Sequence, residues 1–130
     1  MQQNATYQGC DSYPINCTGD VVVGDEICFE LATFSGSFRR ATFAGYEQLR
    51  AQVLRESYGI HKQQHTFTLR LEDGGTRRIK GRNLYAQGVW RKPWPSEDER
   101  SFARTEKHMR GDLARAQRQL RKEIDHVVGI

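Results

Sequence analysis

From residue 20 to about residue 85 the apolar positions recur with period two, in short runs broken by turn residues. Ile27, Phe29 and Leu31 follow Gly24-Asp25 and fall on one face of a strand. Ser35-Gly36-Ser37 is a turn signal, and a second strand is expected over 38–43. Residues 49–54 fit two templates: Leu49, Ala51 and Val53 alternate, while Tyr46, Leu49 and Val53 share a helical face. The neighbouring segment favours strand. There Phe67, Leu69 and Leu71 alternate with Thr66, Thr68 and Arg70, and β-branched threonine suits an outward strand position. Setting Val53 opposite Phe67 and Ala51 opposite Leu69 keeps the apolar side chains on one face, with 57–63 as the loop. Asp73-Gly74-Gly75 marks a hairpin turn, and placing Leu71 opposite Ile79 matches the inward faces. That register sets Arg78 opposite Glu72, Lys80 opposite Arg70 and Arg82 opposite Thr68, which predicts a cationic outer face.

Five short strands in about 65 residues are expected to close into a small barrel. The opening Val23-Gly24-Asp25-Glu26-Ile27, and the run Leu71-Glu72-Asp73-Gly74-Gly75 through Asn83-Leu84-Tyr85, resemble SH3-like barrels of the Tudor or KOW type over residues 20–86. The resemblance implies a fold that binds peptides or nucleic acid with one sheet face and its loops. The aromatic cage of Tudor domains has no residue-by-residue match here, so methyl-lysine reading is not implied.

Beyond the strands the pattern changes period. Residues 1–19 carry one charge and no periodicity and read as a flexible N-terminal tail, ahead of a barrel over 20–87. Residues 88–95 form a connector with both tryptophans and two of the three prolines. Ser96 and Glu99 make a capping box that opens a helix over 96–128. On that helix Phe102, Met109, Leu113, Ala116, Leu120, Ile124 and Val127 form one stripe. Arg100, Arg104, Lys107, Arg115, Arg118 and Lys122 lie opposite, with Arg110 and Arg121 on the flank. A helix of about 45 Å outruns so small a barrel, so either a break near Gly111-Asp112 or a second subunit is expected. Met109, Leu113, Ala116 and Leu120 are spaced four and three apart, as in a coiled-coil seam, and with Ile124 they are the expected homodimer or partner interface. The predicted fold class is α+β, mainly β: a five-stranded SH3-like barrel followed by a C-terminal amphipathic α-helix.

Composition narrows the function. The chain has 130 residues, 37% hydrophobic and 28% charged, with a formal charge of +4, which suits one small domain and a polyanionic partner. No apolar run reaches the length of a membrane span or resembles a signal peptide, so no membrane association and a cytoplasmic location are expected. The sequon-like Asn4-Ala5-Thr6 and Asn16-Cys17-Thr18 then carry no glycan. Cys10, Cys17 and Cys28 are odd in number and are expected as reduced thiols. With no nearby histidine or second CxxC to complete a zinc set, neither metal nor cofactor is expected.

Three constellations could carry chemistry. Arg78, Lys80 and Arg82 at about 6.6 Å intervals match successive phosphates, with Thr66, Thr68 and Arg70 as further donors. They could equally protect an edge strand. Trp90-Arg91-Lys92-Pro93-Trp94 interleaves aromatics with cations and could stack on bases, or could staple the helix to the barrel. Residues 56–65 hold Glu56, His61 and His65, but His65 phases inward with Phe67 and His61 lies at the exposed tip, so a structural histidine is expected. With no catalytic motif present, an enzyme is not expected. The expected function is a nucleic-acid-binding accessory protein of low sequence specificity. Its contacts would be Arg70, Arg78, Lys80 and Arg82 on the barrel, Trp90, Arg91, Lys92 and Trp94 in the connector, and Arg104, Lys107, Arg115 and Arg118 on the helix. The alternative is a protein-interaction module covering an acidic partner, such as a phage or mobile-element inhibitor of a host nucleic-acid-handling complex.

Overall fold

The computed structural model describes residues 10–58 and 65–127. In chain order these form β1 (Ile15–Asn16), β2 (Glu26–Ser35), a 3₁₀ turn (Phe38–Arg40), β3 (Thr42–Tyr58), β4 (His65–Leu71), β5 (Thr76–Lys80), α1 (Gly81–Tyr85), β6 (Val89–Arg91) and α2 (Glu97–Val127). The described strands make one sheet in the order β1-β6-β2-β3-β4-β5, and every ladder is antiparallel. The class is α+β, mainly β. The architecture differs from a five-stranded closed barrel in three ways. The segments 38–43 and 49–54 are not separate strands: the chain turns at Phe38–Arg40 and then runs as the single 17-residue β3. The additional strands β1 and β6 come from the segments read as tail and connector. Among the described residues no ladder joins the edge strands β1 and β5.

Two bulges keep β3 from being a flat ribbon. The β2–β3 register passes from Thr33 opposite Gly45 to Phe34 opposite Phe43, and the β3–β4 register from Val53 opposite Leu69 to Arg55 opposite Thr68. Each extra residue reverses which side chains face the core. The second bulge therefore puts Glu56 opposite Phe67, on the inner face.

Both hairpins are offset from the expected register. Val53 lies opposite Leu69 and Ala51 opposite Leu71, and Ile79 lies opposite Phe67 instead of Leu71. The Asp73 carboxylate accepts the Gly75 N–H at 2.8 Å, and the Leu71 N–H donates to the Gly75 carbonyl at 2.8 Å. This closes the turn early, with Gly74 at a φ of 90° that side chains resist. Strand β5 then ends at Lys80, and Arg82, expected as the third tooth of a strand comb, sits on α1.

The core fills the inner face with Ile27, Phe29, Val53, Phe67, Leu69 and Val89, and α1 adds Leu84. A second cluster on the other face of β2 joins Cys10, Tyr13, Cys28 and Trp90. Residues 10–19 are consequently part of the folded unit and not a tail, while residues 1–9 lie outside the described residues, as do 59–64 with His61. Cys10 and Cys28 form a disulfide, with Cα atoms 5.9 Å apart, and Cys17 is the buried free thiol. The expected set of three reduced thiols is corrected accordingly.

Helix α2 starts as predicted, with the Glu99 N–H donating to Ser96 Oγ at 3.4 Å. It runs unbroken through Gly111. Its orientation is the reverse of the usual amphipathic rule. Phe102, Met109, Leu113, Leu120 and Ile124 are each more than half exposed, whereas Arg100, Lys107 and Gly111 are buried. Past Gly111, Ala114 and Arg118 are the half-buried residues among 112–125, and the others there are exposed.

Candidate nucleic-acid interface

Three acids on the body explain why the basic side of α2 turns inward. Asp25 is fully buried and accepts from the Val22 N–H at 3.0 Å, from Trp94 Nε1 at 2.7 Å and from Arg100 through Nε and Nη2, each at 2.9 Å. Arg104 Nε reaches Asp20 at 2.8 Å. Lys107 donates to the Val21 carbonyl and lies 3.2 Å from Glu56, whose carboxylate also meets His65. Burial alone would raise the Glu56 carboxyl. The hydrogen bond from His65 and the charge of Lys107 overcome that and hold it below the ordinary value. A charge taken out of water needs such compensation, and the buried Arg100 and Lys107 have it, while Arg104 stays half exposed.

Many of the residues expected to touch nucleic acid are therefore engaged in the fold. Arg91 is buried and grips Glu97 with both terminal nitrogens, at 3.1 and 2.8 Å. Lys92 lies 3.8 Å from Glu26 and 5.1 Å from the centre of the Tyr13 ring. Trp90 is only 7% exposed, so its ring offers no platform for a base. Trp94 packs on Gly24, where an added Cβ would come within 2.8 Å of the indole. Arg104 and Lys107 face acids as described, and Arg115 pairs with Asp112. Of the cations expected on the helix, Lys107 is buried, Arg104 and Arg115 are exposed within ion pairs, and Arg118 is half-buried.

The outer face of β3–β5 is different in kind. Alternation and register set Arg55, Thr68 and Arg78 in one rung across the three strands. Ser57, Thr66 and Lys80 form the next rung, and Gln52, Arg70 and Thr76 form the rung on the other side. Arg70, Arg78 and Lys80, as the sequence suggests, thus share a face with hydroxyls. Arg55 joins them unforeseen, because the bulge that re-aims it leaves no signal in the alternation. None of these four cations ion-pairs with an acid among the described residues.

This face ends in a groove of about 510 Å³. Strand β6 pairs with β2 only over Ile27, Cys28 and Phe29, so among the described residues no strand pairs with β2 beyond Phe29 on that side. Strand β5 and α1 stand across from it. Leu31 and Ile79 line the groove with Arg77, Arg78, Lys80 and Arg82, and Glu30 is the one acid in its lining. Arg82 contributes here from α1. The exposed aromatics Phe34, Phe43 and Tyr46 at the end of the β2–β3 hairpin were not expected as functional residues, although aromatics flanking Arg39-Arg40 were the available signal in the sequence.

Residues 17–94, which hold the whole of this face, match the profile of a domain of unknown function, DUF7699. The chain belongs to the DUF7699 family. The family match ends at Trp94, so the helix lies beyond it, yet Arg100 engages Asp25 inside it. The DUF7699 chain is also 39% identical over 124 residues to "Zinc finger CCCH domain-containing protein 62" of Oryza sativa subsp. japonica. That alignment covers 85% of this chain and 18% of the relative, so the chain spans about a fifth of the relative's length. Among the described residues no three His, Cys, Asp or Glu side chains come together as a metal site. No solved structure matches the chain. Among the described residues no helix is long and apolar enough to cross a membrane.

Proposed function

We propose that this DUF7699 domain binds nucleic acid through the outer face of β3–β5 and the groove beside it, gripping the phosphate backbone with low sequence specificity. The observation that carries the reading is the contrast in charge pairing. The cations that dock α2 meet acids of the body, Asp25 and Glu56 buried and Asp20 half-buried, whereas Arg55, Arg70, Arg78 and Lys80 project from one face without an acidic partner among the described residues. Alternate strand positions lie about 6.6 Å apart, close to the spacing of successive phosphates in a single strand. Threonine and serine hydroxyls between the cations add neutral donors for phosphate oxygens. The same groove supports reading the sheet as an SH3-like barrel left open between β2 and β5.

The test is fluorescence anisotropy with labelled oligonucleotides across a salt series, on the wild type and on Arg78→Ala/Lys80→Ala/Arg82→Ala. Binding should weaken linearly on a log–log salt plot. The triple variant should bind more weakly, with a slope smaller by about one for each phosphate it no longer neutralises. Absence of binding at low salt would overturn the proposal.

A second reading is favoured by one observation, the outward-facing stripe on α2. We read Met109, Leu113, Ala116, Leu120 and Ile124 as a protein-contact seam, with a second copy of α2 as the partner of matching spacing. The two readings use different residues and are compatible.

A further inference from the structure

Building on the nucleic-acid reading, we infer that the end of the β2–β3 hairpin is a stacking platform for unpaired bases, so that the preferred ligand is single-stranded. Phe34, Phe43 and Tyr46 are each more than half exposed. Their rings meet edge to face, with centroids 6.2 Å apart for Phe34 and Phe43 and 5.2 Å apart for Phe43 and Tyr46. The first β3 bulge brings them together. Residues three apart on a regular strand point to opposite faces, and the extra residue between Phe43 and Tyr46 cancels that alternation. Gly45 adopts a φ of 127° there, and Thr33 Oγ1 donates to its carbonyl at 3.1 Å, which holds the kink. The bulge thus gathers three aromatic side chains where regular pairing would divide them between the two faces.

Their surroundings identify the ligand chemistry. Phe34 lines the same groove as Arg77, Arg78, Lys80 and Arg82. Arg39 and Arg40 project from the 3₁₀ turn at the tip, both exposed. Flat apolar faces beside a row of cations are what a flexible polyanion with π-faced substituents requires. A single strand can lay its phosphates along β5 and turn its bases onto the rings. In a duplex the bases are stacked on each other inside the helix and cannot reach them, leaving only the phosphates to bind. An acidic peptide would use the cations but not the three rings together.

The test compares a labelled oligothymidylate with a blunt duplex of equal length, in the same buffer, using anisotropy. Phe34→Ala/Phe43→Ala removes the platform, and because both rings are exposed its urea midpoint should match the wild type. The wild type should prefer the single strand, and the double variant should lose roughly ten-fold or more for it while duplex affinity stays within about two-fold. Equal wild-type affinity for both forms, or a single-strand affinity untouched by the double variant, would overturn the inference while leaving phosphate binding intact. Failure of both ligands to bind would instead overturn the nucleic-acid reading on which the inference rests.

Discussion

The Arg100 guanidinium lies against the fully buried Asp25 carboxylate with two parallel hydrogen bonds of 2.9 Å, and this pair decides which way α2 faces. A bidentate pair out of water is strong because neither charge has a solvent alternative. Removing one partner leaves the other buried and uncompensated. Arg100→Ala is therefore expected to cost about 3–5 kcal/mol in urea unfolding, far more than loss of a surface pair. A cost below about 1 kcal/mol would mean the helix docks in some other way.

Orientation of the helix can be tested from its other side. Leu113→Asp/Leu120→Asp would be ruinous in a core, but here both side chains face outward. The expected outcome is an unchanged unfolding free energy of the monomer, within about 0.5 kcal/mol, as for other exposed substitutions. Light scattering should show any wild-type dimer reduced to monomer mass. Unfolding of the variant would place the stripe against the body.

Acid sensitivity follows from Glu97. The hydrogen bond from Arg91, then the Trp94 N–H, holds its carboxyl down to about 2, against 4.5 for the free group. A folded-state value below the unfolded one stabilises fully above about 4.5, and the contribution fades as pH falls toward about 2. Glu97 is half exposed, so solvent screening limits the effect to roughly 1 kcal/mol. Glu97→Gln should lower stability at neutral pH by that amount and flatten the stability curve in the acid window. Glu56 should act with the same sign over the acid range. An unaltered curve would show that the Arg91–Glu97 pair does not persist in solution.

Thiol chemistry tests the packing of residues 10–19. Burial, then the nearby Asp25 charge, pushes the Cys17 thiol up to about 12, so it is protonated and shielded at neutral pH. The oxidised native protein should not react with a maleimide, and Cys17 should label only on unfolding. Reduction of the Cys10–Cys28 bridge, whose sequence separation is 18 residues, should cost about 3 kcal/mol. Rapid labelling of Cys17 in the native state would contradict its place in the core.

The period-two runs revealed which residues face inward, but not how far each strand slides. Val53 against Leu69 and Phe67 against Ile79 differ from the expected pairs by even numbers of residues, and even shifts leave every face unchanged. Apolar alternation is blind to them. The bulges were equally hidden, which is why the outward turn of Arg55, the inward turn of Glu56 and the Phe43–Tyr46 contact were not anticipated. On α2 both faces were legible from the spacing, but not that Arg100 and Lys107 of the basic face are the buried contacts with the body. Asp20 and Asp25 precede β2 and Glu56 lies near the end of β3, and only the folded sheet gathers them under Arg100, Arg104 and Lys107. The comb at Arg78 and Lys80 was visible because it needs no more than parity.

Where a nucleic acid sits on the protein is best measured by amide chemical-shift perturbation on titrating an oligothymidylate into isotope-labelled protein. The expected footprint covers Arg55, Thr66, Thr68, Arg70, Arg78 and Lys80, continues to Phe34 and Phe43, and spares α2. Shifts confined to α2, or no shifts at low salt, would contradict binding through the outer face of β3–β5.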